Sequence, residues 1–210
     1  MERFHQENFE QLCLRLAASD ANLAAIIDEY GLPPLWTRPN RFSSLVLTIL
    51  EQQVSLASAF AAYKKLLDKT GRLTPSTLLA LTDEELRGCY LSRQKIVYTR
   101  GLAQAITGGT LNLRKLASQP DDVVRKQLKE LKGIGDWTVD IYLLHCLNRT
   151  DIFPIGDLAL VNAIRARLSM PNATKDELLQ LSEAWRPYRS IATMLFWHYY
   201  IRKKNIKVLH

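Results

Sequence analysis

Apolar residues in this chain recur at three- and four-residue steps along its length, and no stretch alternates in twos as a half-buried strand would. Each segment then carries one apolar stripe, which helix-on-helix packing can bury, so the fold class is read as all-α. Leu12, Leu16 and Leu23 begin an N-terminal helical section that Gly31-Leu32-Pro33-Pro34 and Pro39-Asn40 interrupt. A long run follows from Ser43 to Leu67, with Leu47, Leu50, Val54, Ala57 and Leu67 near helical spacing and Gly71 just beyond. Thr74-Pro75, Thr82-Asp83 and Ser92 carry helix-start signals, and Gly108-Gly109 a stop. Pro120-Asp121 opens a helix bearing Val124, Leu128 and Leu131; Gly133-Ile134-Gly135 breaks it, and Asp136 is placed to cap a successor that aligns Trp137, Ile141 and Leu144. Further helices are expected from about Asp157, from about Lys175 to Trp185, and from about Tyr188 into the basic Arg202-Lys203-Lys204, about ten helices in all.

A chain of 210 residues, 47% hydrophobic and 23% charged, is long enough for one core or two small lobes and is not composed like a disordered segment. The net charge of +7 makes a polyanion a plausible partner without identifying one. Cys13, Cys89 and Cys146 are odd in number and far apart, so they are read as free thiols, with neither a disulfide framework nor a zinc site, and too few for an iron-sulfur cluster. The charged N-terminus lacks a signal core and no run of about 18 apolar residues occurs, which points to a soluble protein of the cytoplasm, in a bacterium of the cytosol or nucleoid.

The chemistry concentrates in two places. Gly133 and Gly135 lie where two helices meet. A glycine there accepts the left-handed backbone of a helix end and lets another surface approach, while the next helix begins with outward N–H groups that favour a phosphate. The same residues also suit an ordinary tight turn with no ligand. Asp157 follows a Pro-containing loop and precedes an apolar-periodic helix, which on local sequence alone makes it an N-cap.

The segment VRKQLKELKGIGDWTVDIYLL, Val124 to Leu144, resembles the helix-hairpin-helix of the DNA glycosylase superfamily, and DIFPIGDLALVNAI, Asp151 to Ile164, resembles the Gly/Pro loop and aspartate that follow it. ILEQQVSLASA (Ile49 to Ala59), LSRQKIVYTRGLA and WRPYRSIATMLFWHYY (Trp185 to Tyr200) extend the similarity over nearly the whole chain, toward the 3-methyladenine DNA glycosylase II branch. The resemblance implies two helical lobes, about 1–42 with 149–210 and about 43–148, with the helix-hairpin-helix at about 121–148. It implies an enzyme that flips alkylated purines such as 3-methyladenine and 7-methylguanine out of duplex DNA and hydrolyses the N-glycosidic bond.

By the same resemblance Asp157 is the catalytic carboxylate, and Trp137 and Trp197 stack on the base, with Ile141, Tyr142, His198 and Tyr199 around the pocket. Gln53 is the candidate wedge filling the gap in the duplex, supported by Gln52, while Lys132, Gly133, Ile134, Gly135, Asp136 and Thr138 hold the DNA strand. The main-chain carbonyls of Lys129, Leu131 and Ile134 would hold a structural Na+ or K+; no cofactor is required, and a monomer is expected. Gly156 replaces a second acidic residue of one branch, and Ile141 and His198 stand where that branch has tyrosines, which bears on substrate range. Trp137 occupies the position of the Schiff-base lysine of bifunctional members, so strand cleavage is not expected. The rival reading is a helix-hairpin-helix module that binds double-stranded DNA without catalysis.

Overall fold

The computed structural model describes residues 2–206. Thirteen α-helices and one 3-10 turn account for its regular structure, and among the described residues the only extended pairing is a single bridge between Arg3 and Arg149. The excess over ten has three sources: the N-terminal section is two helices rather than one, the run from Ser43 is likewise two, and α8 (Leu113–Ala117), little more than one turn long, shows no period and is announced only by its cap Asn112. The starts read at Thr74 and Thr82 are the short helices α5 (Pro75–Leu79) and α6 (Asp83–Gly88). The long run expected from Ser43 to Leu67 is two helices, α3 (Phe42–Glu51) and α4 (Leu56–Thr70). Gln53 adopts a left-handed φ of 57° in the turn between them, and Ser55 accepts from the Ser58 N–H to cap α4.

The described residues form two compact units, 2–37 with 143–206, and 38–142. The boundaries expected at 42/43 and 148/149 fall instead at 37/38 and 142/143. Residues 38–40 are tied to the helices that follow them: Arg38 pairs with Glu51, the Ser44 hydroxyl donates to the Pro39 carbonyl, and the Asn40 amide donates to the Leu113 carbonyl.

In the first unit, α1 (Phe9–Ala17) and α2 (Ala21–Tyr30) pack on α13 (Arg189–Lys203), which also carries α11 (Leu158–Arg167). Residues 190–199 of α13 are all buried, which marks it as the axis of this unit. Between α11 and α13 lie α12 (Lys175–Ser182), started by a capping box of Thr174 and Glu177, and the 3-10 turn Glu183–Trp185. In the second unit α3 packs on α4 and on α7 (Arg93–Thr107), and α7 packs on α5 and α6. The helix-hairpin-helix is α9 (Asp121–Lys129) and α10 (Asp136–His145), close to the expected span. No helix among the described residues is long and apolar enough to cross a membrane.

Candidate functional site

The hairpin between α9 and α10 is held from within. Gly133 has φ +85°, and a Cβ added there would come within 2.2 Å of the Tyr98 ring, so glycine is required both for backbone conformation and for space. The surface that approaches Gly133 is therefore this chain's own α7. Gly135 differs: it is exposed and a Cβ there would meet nothing within 4 Å. Ile134 is buried, and its N–H donates to the Leu131 carbonyl, which tightens the turn.

Gln52, at the C-cap of α3, donates its side-chain amide to the Gly133 carbonyl and to Thr138 Oγ1, both at 2.9 Å. Thr138 is almost fully buried. Of the residues expected to touch DNA, Gln52, Gly133 and Thr138 thus fix the hairpin and the α3–α4 turn to each other, and the buried Ile134 side chain is likewise not presented outward. Gln53, Lys132, Gly135 and Asp136 are exposed. Asp136 is the first helical residue rather than the cap, and its carboxylate pairs with Lys129 across the turn at 2.6 Å.

The end of α3 is anchored by charge. Arg38 makes two bonds to buried Glu51, at 2.8 and 2.6 Å, and the Lys95 ammonium donates to the Leu50 carbonyl at 2.6 Å, capping a carbonyl at the helix end. Burial holds the Lys95 ammonium below its ordinary value. Lys95 and Tyr98 are not singled out by any local pattern, since their partners lie 45 and 35 residues away in the chain.

In the other unit, Asp157 is the N-cap of α11, as its local sequence predicts. Its Oδ1 accepts from the Leu160 N–H at 2.8 Å and from the Trp197 indole N–H at 3.0 Å, and its side chain is half-buried rather than enclosed. Asp20, the N-cap of α2, also accepts an indole N–H, that of Trp185, but on Oδ2, while the helix amides bond Oδ1. At Asp157 both donors converge on one oxygen. The next residue, Leu158, is 73% exposed, the most exposed of the large apolar side chains described.

Trp197 is 9% exposed, and one face of its ring is covered by His145, whose imidazole lies 5.4 Å away at 9° to the indole plane. Its place is beside Asp157, with an N–H committed to the carboxylate. His145 was not among the expected residues; the signal for it is a lone imidazole within the apolar run Leu143-Leu144-His145-Cys146-Leu147.

Tyr142 is completely buried, with its hydroxyl donating to Asn40 Oδ1 at 2.7 Å, and Ile141 is buried in the same helix. Neither lines an open surface, because residues 138–147 of α10 and its exit are buried all round. His198 bonds the Tyr30 carbonyl through Nε2 at 3.1 Å and, with Tyr30, Trp36 and Arg202, borders a cavity of about 470 Å³ that neither Asp157 nor Trp197 lines. Tyr199 is buried against Tyr30, and its hydroxyl accepts from Lys203. Trp137, in the first turn of α10, remains half-buried.

Residues 46–187 match the model of the HhH-GPD superfamily of base excision DNA repair proteins. The chain belongs to that superfamily. It is 30% identical over 188 residues to a putative DNA-3-methyladenine glycosylase of Bacillus subtilis, covering 85% of this chain and 66% of the relative, so it spans just under two thirds of that protein's length. It superposes on the crystal structure of a DNA-3-methyladenine glycosidase from Bacillus halodurans with a TM-score of 0.76 at 29% identity, over 98% of this chain and 95% of that one. A 3-methyladenine DNA glycosylase of Schizosaccharomyces pombe, solved in complex with abasic DNA, gives a TM-score of 0.80 at 26% identity, over 89% and 95%.

Proposed function

We propose that this chain is a DNA glycosylase that removes alkylated purines from duplex DNA and leaves an abasic site without cutting the strand. The observation that carries this is the Asp157 carboxylate, held half-exposed at the start of α11 by the Leu160 amide and the Trp197 indole. As the N-glycosidic bond breaks, its electron pair leaves with the base and positive charge grows on the deoxyribose. A fixed carboxylate beside the sugar stabilises that charge more than it stabilises the ground state, in which the sugar is uncharged. Water then adds to the sugar carbon and loses a proton, for which Asp157 is the proposed acceptor. A purine alkylated at N3 or N7 already carries positive charge and is a good leaving group, so no strong acid is needed. An aromatic ring stacked on that cationic base would add about 0.5–2 kcal/mol.

The bound strand would lie on the hairpin, where Lys132, Gly135 and Asp136 are exposed, and Gln53 would enter the duplex from the α3–α4 turn. The carbonyls of Lys129, which ends α9, and of Leu131 and Ile134 beyond it would hold a monovalent cation that adds positive charge near a phosphate; the Leu131 carbonyl, which already accepts from the Ile134 N–H, would offer it a second lone pair. Trp137 offers no amine for a Schiff base. The likeness to glycosylases of alkylated DNA supports the substrate class.

The test is incubation of the purified protein with duplexes carrying single methylated purines, with release of free base read by mass. The expected result is free 3-methyladenine or 7-methylguanine, an intact abasic strand, and no borohydride-trapped adduct. Binding without base release would favour the non-catalytic reading.

A further inference from the structure

We propose that His145 is a positioning residue for Asp157, acting through the indole of Trp197; the proposal rests on the reading of Asp157 as the catalytic carboxylate. Three contacts within one unit carry it. His145 Nδ1 lies 2.7 Å from the Trp36 carbonyl oxygen. A carbonyl can only accept, so this nitrogen carries the proton and the imidazole is fixed in orientation whatever the state of its other nitrogen. The fixed ring lies nearly parallel to the indole of Trp197, at 9° and 5.4 Å. The indole N–H in turn meets Asp157 Oδ1 at 3.0 Å.

Each link restrains a different freedom. The carbonyl sets the tilt of the imidazole, the stack sets the plane of the indole, and the indole sets one oxygen of the carboxylate. Trp197 has two side-chain torsions, and a rotation about the second would swing its N–H away from Asp157. The flat face of His145 blocks that rotation on one side. The Leu160 amide is a second restraint on the same oxygen but comes from the helix that Asp157 caps, and it moves with that residue. His145 and Trp197 supply a reference outside α11, from α10 and α13. A carboxylate that must face developing charge gains from this, because misplacement of about 1 Å can cost about a hundredfold in rate.

Two substitutions separate the links. His145→Phe keeps a flat ring and loses the donor to Trp36, while His145→Gln keeps a donor and loses the ring. Each should lower the single-turnover rate of base release about tenfold, with the Kd for damaged duplex within twofold of wild type. On a Trp197→Phe background, which keeps a ring but removes the indole N–H, the same His145 changes should have less than a twofold further effect, because the indole N–H through which the proposal routes them to Asp157 is gone.

The free protein gives a readout independent of catalysis. The Trp197 indole N–H resonance, assigned by its loss in Trp197→Phe, should exchange with solvent at least tenfold faster in His145→Phe. Wild-type rates in both His145 variants, or effects that multiply fully with Trp197→Phe, would overturn the proposal, as would unchanged indole exchange. If instead wild type releases no base while the indole resonance still responds to His145, the positioning chain stands and the catalytic reading of Asp157 fails.

Discussion

Gly133 and Gly135 differ in what a methyl group would meet. At Gly133 an alanine would carry its Cβ into the Tyr98 ring at a left-handed φ, so Gly133→Ala should cost about 3 kcal/mol or more, read as a fall in the urea midpoint. At Gly135 the space is open, so Gly135→Ala should leave the midpoint unchanged while weakening binding to duplex DNA about tenfold, if the backbone there sits against a phosphate. An equal loss of stability at both positions would reduce the motif to an ordinary turn. The pair was legible in the sequence; its division of labour was not, because the partner that makes Gly133 indispensable, Tyr98, is remote in the chain. Asp157 reads as a cap from the sequence and is one, but the indole donor that distinguishes it comes from forty residues further on.

The helices were legible in proportion to how one-sided they are. Amphipathic α1 and α9 bury the leucines and valines that the period picks out, Leu12 and Leu16 in the one, Val124 and Leu128 in the other. The middles of α10 and α13 are buried all round, so no face is marked in the sequence, and assigning Ile141, Tyr142 and His198 to an open pocket by position alone could not distinguish core from lining. Short helices depend on their caps, and this has a pH signature. At α12, Glu177 accepts the Thr174 N–H at 2.6 Å, which holds its carboxyl below the usual carboxylate value. A depressed folded-state pKa contributes stability that is present above the unfolded value and lost as pH falls through the folded one. Glu177→Gln keeps an acceptor at the same place and removes the charge. Its melting temperature should therefore fall less steeply than that of wild type on acidification below the ordinary carboxylate range. Parallel Tm–pH curves for the two proteins would contradict this.

At the scale of the whole chain, the net charge of +7 predicts binding dominated by phosphate neutralisation. Affinity for a short undamaged duplex should fall roughly 10³-fold between 50 and 200 mM salt if about six phosphates are contacted, as measured by anisotropy, and a flat dependence would remove DNA from the account. The two-part organisation was legible from the resemblance, while its boundaries were not, since the contacts that assign residues 38–40 are side-chain bonds to remote partners such as Glu51 and Leu113. The central claim is that the carboxylate charge at position 157 lowers the barrier to base release. Asn is isosteric, accepts the same Leu160 and Trp197 hydrogen bonds and caps a helix about as well, so Asp157→Asn isolates the charge. The most direct measurement is single-turnover release of 3-methyladenine from a duplex by wild type and Asp157→Asn, with Kd determined alongside. The account predicts a fall of about 100-fold or more in rate with Kd changed by less than threefold, whereas equal rates in the two proteins would contradict it.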